Sequence, residues 1–292
     1  MSGATALQLL FSGLSVGAVY ALVALALVIP FKASGLLNFG QGALVTLGAY
    51  IALTLSLATR LPYAAAVALT LLIAALIGVA LERVFMRRLA RAPEFTVVIG
   101  TFALGLMVKD AIRLHWEDNV YTLPVPYSTE PWIIGDVRIN PTFVWIILAT
   151  ILLVAALALF FARSRAGRAM RAVSQNPEAA RLMGVSAERV FSATWALSTA
   201  IAALAGVLFA PVTGIDPDMG DLILKAFVAA VVGGFSSLPG AVVGGLALGT
   251  IETFSGAVLG STFKDVSVFA VLILMLLVRP NGLFGAAGAR RV

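Results

Sequence analysis

Residues 176–184 read NPEAARLMG, inside a basic segment that interrupts an otherwise apolar chain between Ala162 and Ser192. The nine letters spell a short helix closed at both ends. Asn176 is a favourable N-cap, and Pro177 suits the first helical position, where a missing N–H costs nothing. Glu178 places negative charge at the positive end of the helix dipole. Gly184 can adopt the left-handed conformation that ends a helix about two turns later. Ala179 and Ala180 keep one side slim, while Leu182, Met183 and Val185 form an apolar knob. Such a helix is either an ordinary surface element or a projection for a partner to grip, and the flanking sequence decides between the two.

Those flanks are membrane-like. Of the 292 residues, 61% are hydrophobic and 12% charged, with a mean hydropathy of +1.03. A soluble domain is about half apolar and a quarter charged, so the composition indicates a polytopic membrane protein. Cysteine is absent, which excludes disulfides and thiolate metal sites. His115 is the only histidine, which removes most His-based catalysis and His-cluster metal binding, and no catalytic or metal site is expected in this chain. The net charge of +6 would suggest nucleic acid in a soluble protein. Here the Arg residues lie between apolar spans, orientation in the bilayer explains them, and no nucleic-acid partner is expected. The first apolar stretch, from about Leu7 to Ile29, is too long for a signal h-region, and no Lys or Arg precedes Lys32. It reads as a retained helix.

Crossing the hydrocarbon takes roughly 20 apolar residues per helix. Spans are expected at about 7–29, 36–58, 62–81, 95–114, 142–161, 193–213, 222–235, 240–259 and 265–279. The seventh is short and ends in Val232, Gly233 and Gly234, which marks it as a candidate re-entrant or broken helix. The expectation is an all-α membrane protein of eight or nine transmembrane segments. It forms one domain over residues 1–292, with a cytoplasmic segment at about 162–192 and an external loop at about 115–141. Charge sets the orientation. Arg83, Arg87, Arg88 and Arg91 follow the third span, six Arg lie in 162–192, and Arg279, Arg290 and Arg291 end the chain. Loop 115–141 instead holds Glu117, Asp118, Glu130 and Asp136 against Arg138, and 214–221 holds three Asp and no base. With nine crossings the basic segments share the cytoplasmic face, and the N-terminus lies outside. The aromatics of the external loop (Trp116, Tyr121, Tyr127, Trp132) fit a lipid interface or a docking surface for an extracytoplasmic partner.

Within the spans, Gly13 and Gly17, Gly245 and Gly249, and Gly256 and Gly260 have the spacing that lets helices approach closely. GLSVG at 13–17 imitates a nucleophile elbow in letters but has no strand before it, and STFK at 261–264 lacks the companions of an S-x-x-K enzyme. No P-loop is present, so energy from ATP has to come from a partner. Ionisable groups in hydrocarbon are costly and call for a partner or a polar path. Glu252, deep in the eighth segment, has Lys225 as its candidate partner, either as a helix lock or as a pathway lining. Asn38 and Gln41 are three apart, which would set both amides on one helix face, either bonding a neighbouring helix or lining the cytoplasmic mouth of a pathway.

Four stretches together carry a family resemblance: LLNFGQGALVTLGAY (36–50), SRAGRAMRAVSQNPEAARLMGV (164–185), KAFVAAVVGGFSSLPGAVVGGLALGTIE (225–252) and RPNGLFG (279–285). Over nearly its whole length the chain resembles the membrane permease of branched-chain amino acid ABC importers, the LivH-type half of a LivH/LivM pair. The resemblance implies that Glu178, Ala179, Ala180 and Gly184 belong to an E-A-A…G coupling helix seated in a groove of an ATPase subunit, in a form whose Gly follows the second Ala by four residues. It also implies a second, LivM-like permease, two ATP-binding subunits, an extracytoplasmic substrate-binding protein and a bacterial inner-membrane location. No cofactor would bind this chain. Relatives carry leucine, isoleucine and valine, but also urea, short amides and aromatic acids, so the small-molecule solute stays open. An ion-coupled secondary transporter is the rival of another class. It would need several buried acids, where the sequence offers only Glu252, and it would leave the capped helix unexplained.

Overall fold

The computed structural model describes residues 3–58, 61–89 and 92–285. In hydrocarbon no water is available to bond the backbone, so long apolar runs close their hydrogen bonds internally as helices. In chain order these are α1 (Gly3–Ser34), α2 (Gln41–Ala58), α3 (Tyr63–Leu89), α4 (Glu94–Trp116), α5 (Pro141–Arg163), α6 (Arg165–Gln175), α7 (Pro177–Leu182), α8 (Ala187–Thr213), α9 (Ile223–Gly233), α10 (Leu238–Leu259) and α11 (Phe263–Val278). Among the described residues, the only sheet is an external antiparallel hairpin, β1 (Trp132–Ile134) with β2 (Val137–Ile139), turned by Gly135 at φ +61°. Seven helices, α1 to α5, α8 and α10, are long and apolar enough to cross a membrane.

Several boundaries differ from the sequence expectation. The first span continues through Pro30 to Ser34, because α1 is one unbroken 32-residue helix. The second begins at Gln41 rather than 36, after a non-helical turn that follows Gly35 at φ +73°. Asn38 therefore lies before the helix, and Asn38 and Gln41 do not share a helix face. The seventh segment is a 3₁₀ turn, Met219–Leu222, followed by an α9 of 11 residues. At about 1.5 Å per residue, that helix covers roughly half the hydrocarbon thickness. The ninth, α11, has 16 residues. Of the arginines that set the orientation, Arg91, Arg290 and Arg291 lie outside the described residues.

The chain forms two compact units. One comprises Ile29–Pro124 and Ile151–Asp221 and has α8 at its centre, packed on α2 and α3. Small residues make that packing possible. A methyl added to Gly48 would lie 2.3 Å from Ala203 Cα, and one added to Gly206 would lie 2.1 Å from the Val45 carbonyl oxygen. A buried aromatic cluster closes one end, where Tyr50 meets Trp116 at 5.0 Å beside Leu53, Ile112 and Ile215. The other unit comprises Met1–Val28, Val125–Thr150 and Leu222–Val292. In it the two expected small-residue pairs face each other across α1 and α10. A methyl on Gly17 would reach within 2.8 Å of the Gly245 carbonyl oxygen, and one on Gly249 within 2.3 Å of Gly17 Cα. Gly256 and Gly260 do otherwise. Gly260 ends α10 at φ +106°, and Gly256 lies against the Lys264 stem. Helices α9 and α10 form an antiparallel hairpin in which Gly233 meets Gly240 and Ala229 meets Gly244.

Candidate functional site

Around the NPEAARLMG segment, both ends of the short helix are closed by specific hydrogen bonds. Ser164 stops α5 and caps α6, its hydroxyl accepting from Gly167 N at 2.8 Å. The bend is tight, since a methyl on Gly167 would lie 2.4 Å from the Phe160 carbonyl oxygen. Along α6, Gly167, Met170 and Val173 turn inward, and Arg165, Arg168 and Arg171 face outward. Asn176 ends α6 in an extended conformation and caps α7. Its Oδ1 accepts from both Glu178 N and Ala179 N at 3.0 Å, with Pro177 at the first helical position. At the far end Gly184 takes φ +81°. Its N–H donates to Arg181 O, and Val185 N donates to Ala180 O, both at 2.9 Å. These two bonds form a Schellman closure.

The side chains of α7 divide sharply. Ala180 is buried against Met170, Val173, Ala187 and Val190, so it anchors the helix and is not part of a slim outer side. Val185 also packs inward on that cluster. The projecting knob is thus Leu182 and Met183, exposed to 89% and 84%, beside the exposed Ala179 and Glu178. Large apolar side chains this open, on a six-residue helix closed at both ends, form a small rigid surface suited to a hydrophobic partner.

In the unit containing α10, Glu252 is fully engaged. One carboxylate oxygen accepts from Lys225 Nζ at 2.7 Å, and the other from the Tyr20 hydroxyl at 2.7 Å. Lys225 also reaches Asp265 at 2.7 Å. The set links α1, α9, α10 and α11. Glu252 is 8% exposed and Lys225 25%, so the lysine is the more open member of the pair. The RPNGLFG tail belongs to this unit too. Leu283 N and Phe284 N donate to Val232 O and Gly233 O, capping the C-terminal carbonyls of α9.

Asn38 and Gln41 meet in a different arrangement. Asn38 Nδ2 donates to Gln41 Oε1 at 2.8 Å, and Asn38 Oδ1 accepts from Gly40 N at 3.0 Å. Gln41 Nε2 donates to Ser198 Oγ and Ser198 O at 3.1 and 3.2 Å. Both side chains are fully buried. The turn at 36–40 is further held by Phe39 N donating to Thr101 Oγ1.

Sequence reasoning missed two polar sets. The first is Glu82, buried at the end of the apolar part of α3, which accepts from Arg87 Nε at 2.9 Å and from the Ser192 hydroxyl. Residues 82–86 form a π-turn, which brings positions five apart onto one side and so lets Glu82 and Arg87 meet. An acid closing an apolar run just before several Arg was the available signal. The second lies near the external segments. Lys109 pairs with Asp218 at 2.6 Å and Asp221 at 3.0 Å, and Arg113 with Asp118 at 3.1 Å and Asp218 at 3.0 Å. The hydrogen bond from Lys109, reinforced by the nearby Arg113, holds the Asp218 carboxyl below the usual carboxylate range.

Comparisons with known proteins identify the family. A family described as "Branched-chain amino acid transport system / permease component" matches residues 9–278. The chain is similar to the high-affinity branched-chain amino acid transport system permease protein LivH of Salmonella typhimurium. The identity is 33% over 303 residues, covering 98% of this chain and 97% of that one. LivH of Escherichia coli K12 gives the same figures. The corresponding BraD of Pseudomonas aeruginosa is 33% identical over 301 residues, covering 98% of each chain.

Proposed function

Because the chain belongs to the branched-chain amino acid transport system permeases, we propose how its parts divide the work of import. It is a permease component of a branched-chain amino acid ABC transport system, a multi-pass membrane protein without an ATPase site of its own, and ATP is bound by partner subunits. The partners we assign are a second, LivM-like permease, two ATP-binding subunits and an extracytoplasmic binding protein, in the bacterial inner membrane. The solutes are branched-chain amino acids, as the names of the relatives suggest. In this reading one domain spans residues 1–292, and its permeation step forms no covalent bond.

The observation that carries the mechanism is the closed α7 with Leu182 and Met183 exposed. We assign it as the knob gripped by an ATPase subunit, with Asn176, Pro177, Glu178, Ala179, Ala180 and Gly184 giving it shape. Its capped ends keep it from fraying under load, and Ala180 ties it to α6 and α8. Closure of the ATPases on ATP then moves α6 and α7 as one body and passes that motion to α8. Ala179→Asp sets an extra charge on the gripped face and leaves the buried Ala180 alone. Reconstituted ATP-driven uptake should fall about thirtyfold or more, as at a binding hot spot, while the thermal unfolding curve of the chain stays in place. Normal uptake by the folded variant would overturn the assignment.

We further propose nine passes, with α9 as a thin seventh pass and α11 the ninth. The antiparallel α9–α10 hairpin and the tail bonded to the end of α9 support this. It sets residues 214–221 outside and the C-terminus in the cytoplasm. Among the polar groups, Asn38 and Gln41 are read as fasteners of the turn before α2, because their bonds are internal and they are fully buried. Lys225, held by Glu252, is the group we place within reach of a passing solute.

A further inference from the structure

Between the π-turn of α3 and the first turns of α8 lies a cleft of about 560 Å³, lined by Arg83, Arg87, Ser186, Glu188, Arg189 and Ser192. Three guanidinium groups converge there against one lining carboxylate. Arg87 is already engaged, by Glu82 at 2.9 Å and Glu188 at 3.7 Å. Arg83 and Arg189 have no ion pair or side-chain hydrogen bond among the described residues. The cleft adjoins a second cavity of about 360 Å³ that shares Arg87 and Glu188 and is walled mainly by Leu36, Met86, Phe191 and Trp195, with the Glu82 carboxylate also on its lining but already held by Arg87. A basic chamber opening beside an apolar one suits a ligand with an anionic head and an apolar body. Guanidinium groups bind phosphate oxygens in pairs, which favours a phosphate head over a lone carboxylate.

We propose that this cleft binds the phosphate headgroup of an anionic phospholipid of the cytoplasmic leaflet, with Arg83 and Arg189 on the phosphate and the Phe191–Trp195 wall against the apolar body. The chemistry shared with free phosphate is the anion on the two arginines, and the apolar wall distinguishes the lipid. Basic pockets between membrane helices on the cytoplasmic side are suited to this capture, because the leaflet concentrates anionic headgroups there. The cleft involves neither α7 nor Lys225, so its occupancy can be tested apart from coupling.

The experiment is native mass spectrometry of the full chain in neutral detergent, titrated with dioleoylphosphatidylglycerol, dioleoylphosphatidylcholine or inorganic phosphate. Phosphatidylglycerol should bind more tightly than phosphatidylcholine. The double variant R83Q/R189Q should weaken its binding about 25-fold, about fivefold for each basic side chain, and R171Q on α6 should leave it unchanged. Arg83 and Arg189 are exposed, so an unaltered melting curve for the double variant is the control for folding. Equal binding of the two lipids, or full retention in the folded double variant, would overturn the proposal. Displacement of phosphatidylglycerol by millimolar inorganic phosphate would assign the arginines to free phosphate and overturn the lipid reading.

Discussion

Helix α7 and the Glu252 cluster satisfy their polar groups by opposite means. At α7 the partners are neighbours in sequence. Asn176 serves residues two and three positions ahead, and Gly184 and Val185 reach back three and five. Every end is closed locally, and the large apolar side chains Leu182 and Met183 are left outward, beside the charged Glu178 and Arg181. At Glu252 the partners come from far away, Tyr20 from 232 residues off and Lys225 from 27. Both carboxylate oxygens are occupied and little of the side chain is open. The difference teaches where to look for an interface. A group whose needs are met inside the fold holds helices together, whereas a rigid element with large apolar side chains facing outward still lacks its neighbour.

The strongest way to break that contrast is Glu252→Ala. If the carboxylate is a lock, its loss leaves the Tyr20 hydroxyl without its acceptor and Lys225 with only the exposed Asp265, at a cost of about 3 kcal/mol. Little folded protein should then reach the membrane, measured as the monodisperse fraction after detergent extraction. The matched double variant Lys225→Met/Glu252→Met should recover most of it, since removing both charges together is far milder. A folded single variant at normal yield would show that Glu252 is not a lock. Next in size is Leu182→Ala/Met183→Ala. The affinity of the permease for its ATPase subunits should drop about thirtyfold, in the range of an interface hot spot, while the chain's own stability shifts by no more than about 0.5 kcal/mol. A change in stability with no change in affinity would move these side chains from interface to fold.

The smallest effect concerns the external charges, which sharpen the contrast by supplying an intermediate case. Asp218 is held by Lys109 and Arg113 yet is more than half exposed. Its carboxyl titrates below the unfolded value, so its contribution to stability is fully present above the ordinary aspartate pKa near about 4 and is lost as the pH falls through the lower folded value. Thermal midpoints measured from pH 5 down to pH 3 should decline slightly in the wild-type chain. Asp218→Asn should flatten the decline, and an identical slope in both would show that Asp218 is uncoupled from folding. Solvent screening keeps this effect small.

Most long helices were legible from hydropathy alone, because twenty apolar residues have few alternatives in a bilayer. The two ends of α7 were legible because caps act within a few residues: Asn176, Pro177 and Gly184 carry their geometry in their own covalent structure. The pair Lys225 and Glu252 was legible as a shortage, since a lone acid in hydrocarbon needs a base. What could not be read depended on tertiary position. Asn38 was read into a helix that begins three residues later, because nothing local announces that Gly35 will break the chain there. Ala180 and Val185 were read outward because a six-residue helix has too little periodicity to reveal which side faces its neighbours. Glu82 escaped because an α-helical count sets it off the face of Arg87, and only the π-turn brings them together. The second hydrogen-bond partner of Glu252, Tyr20, sits in a stretch of α1 that reads as uniformly apolar.

The contact between α1 and α10 also has a history in time. Gly13, Gly17 and Tyr20 leave the ribosome long before their partners Gly245, Gly249 and Glu252. At translation rates of 5–20 residues per second, the 232 residues between Tyr20 and Glu252 take roughly 10 to 50 s to make. One unit has all of its chain by Asp221, and the other is still waiting for α9, α10 and α11. During that interval α1 lies in the bilayer with its glycine-lined face uncovered, the state in which an insertase or a membrane protease would meet it.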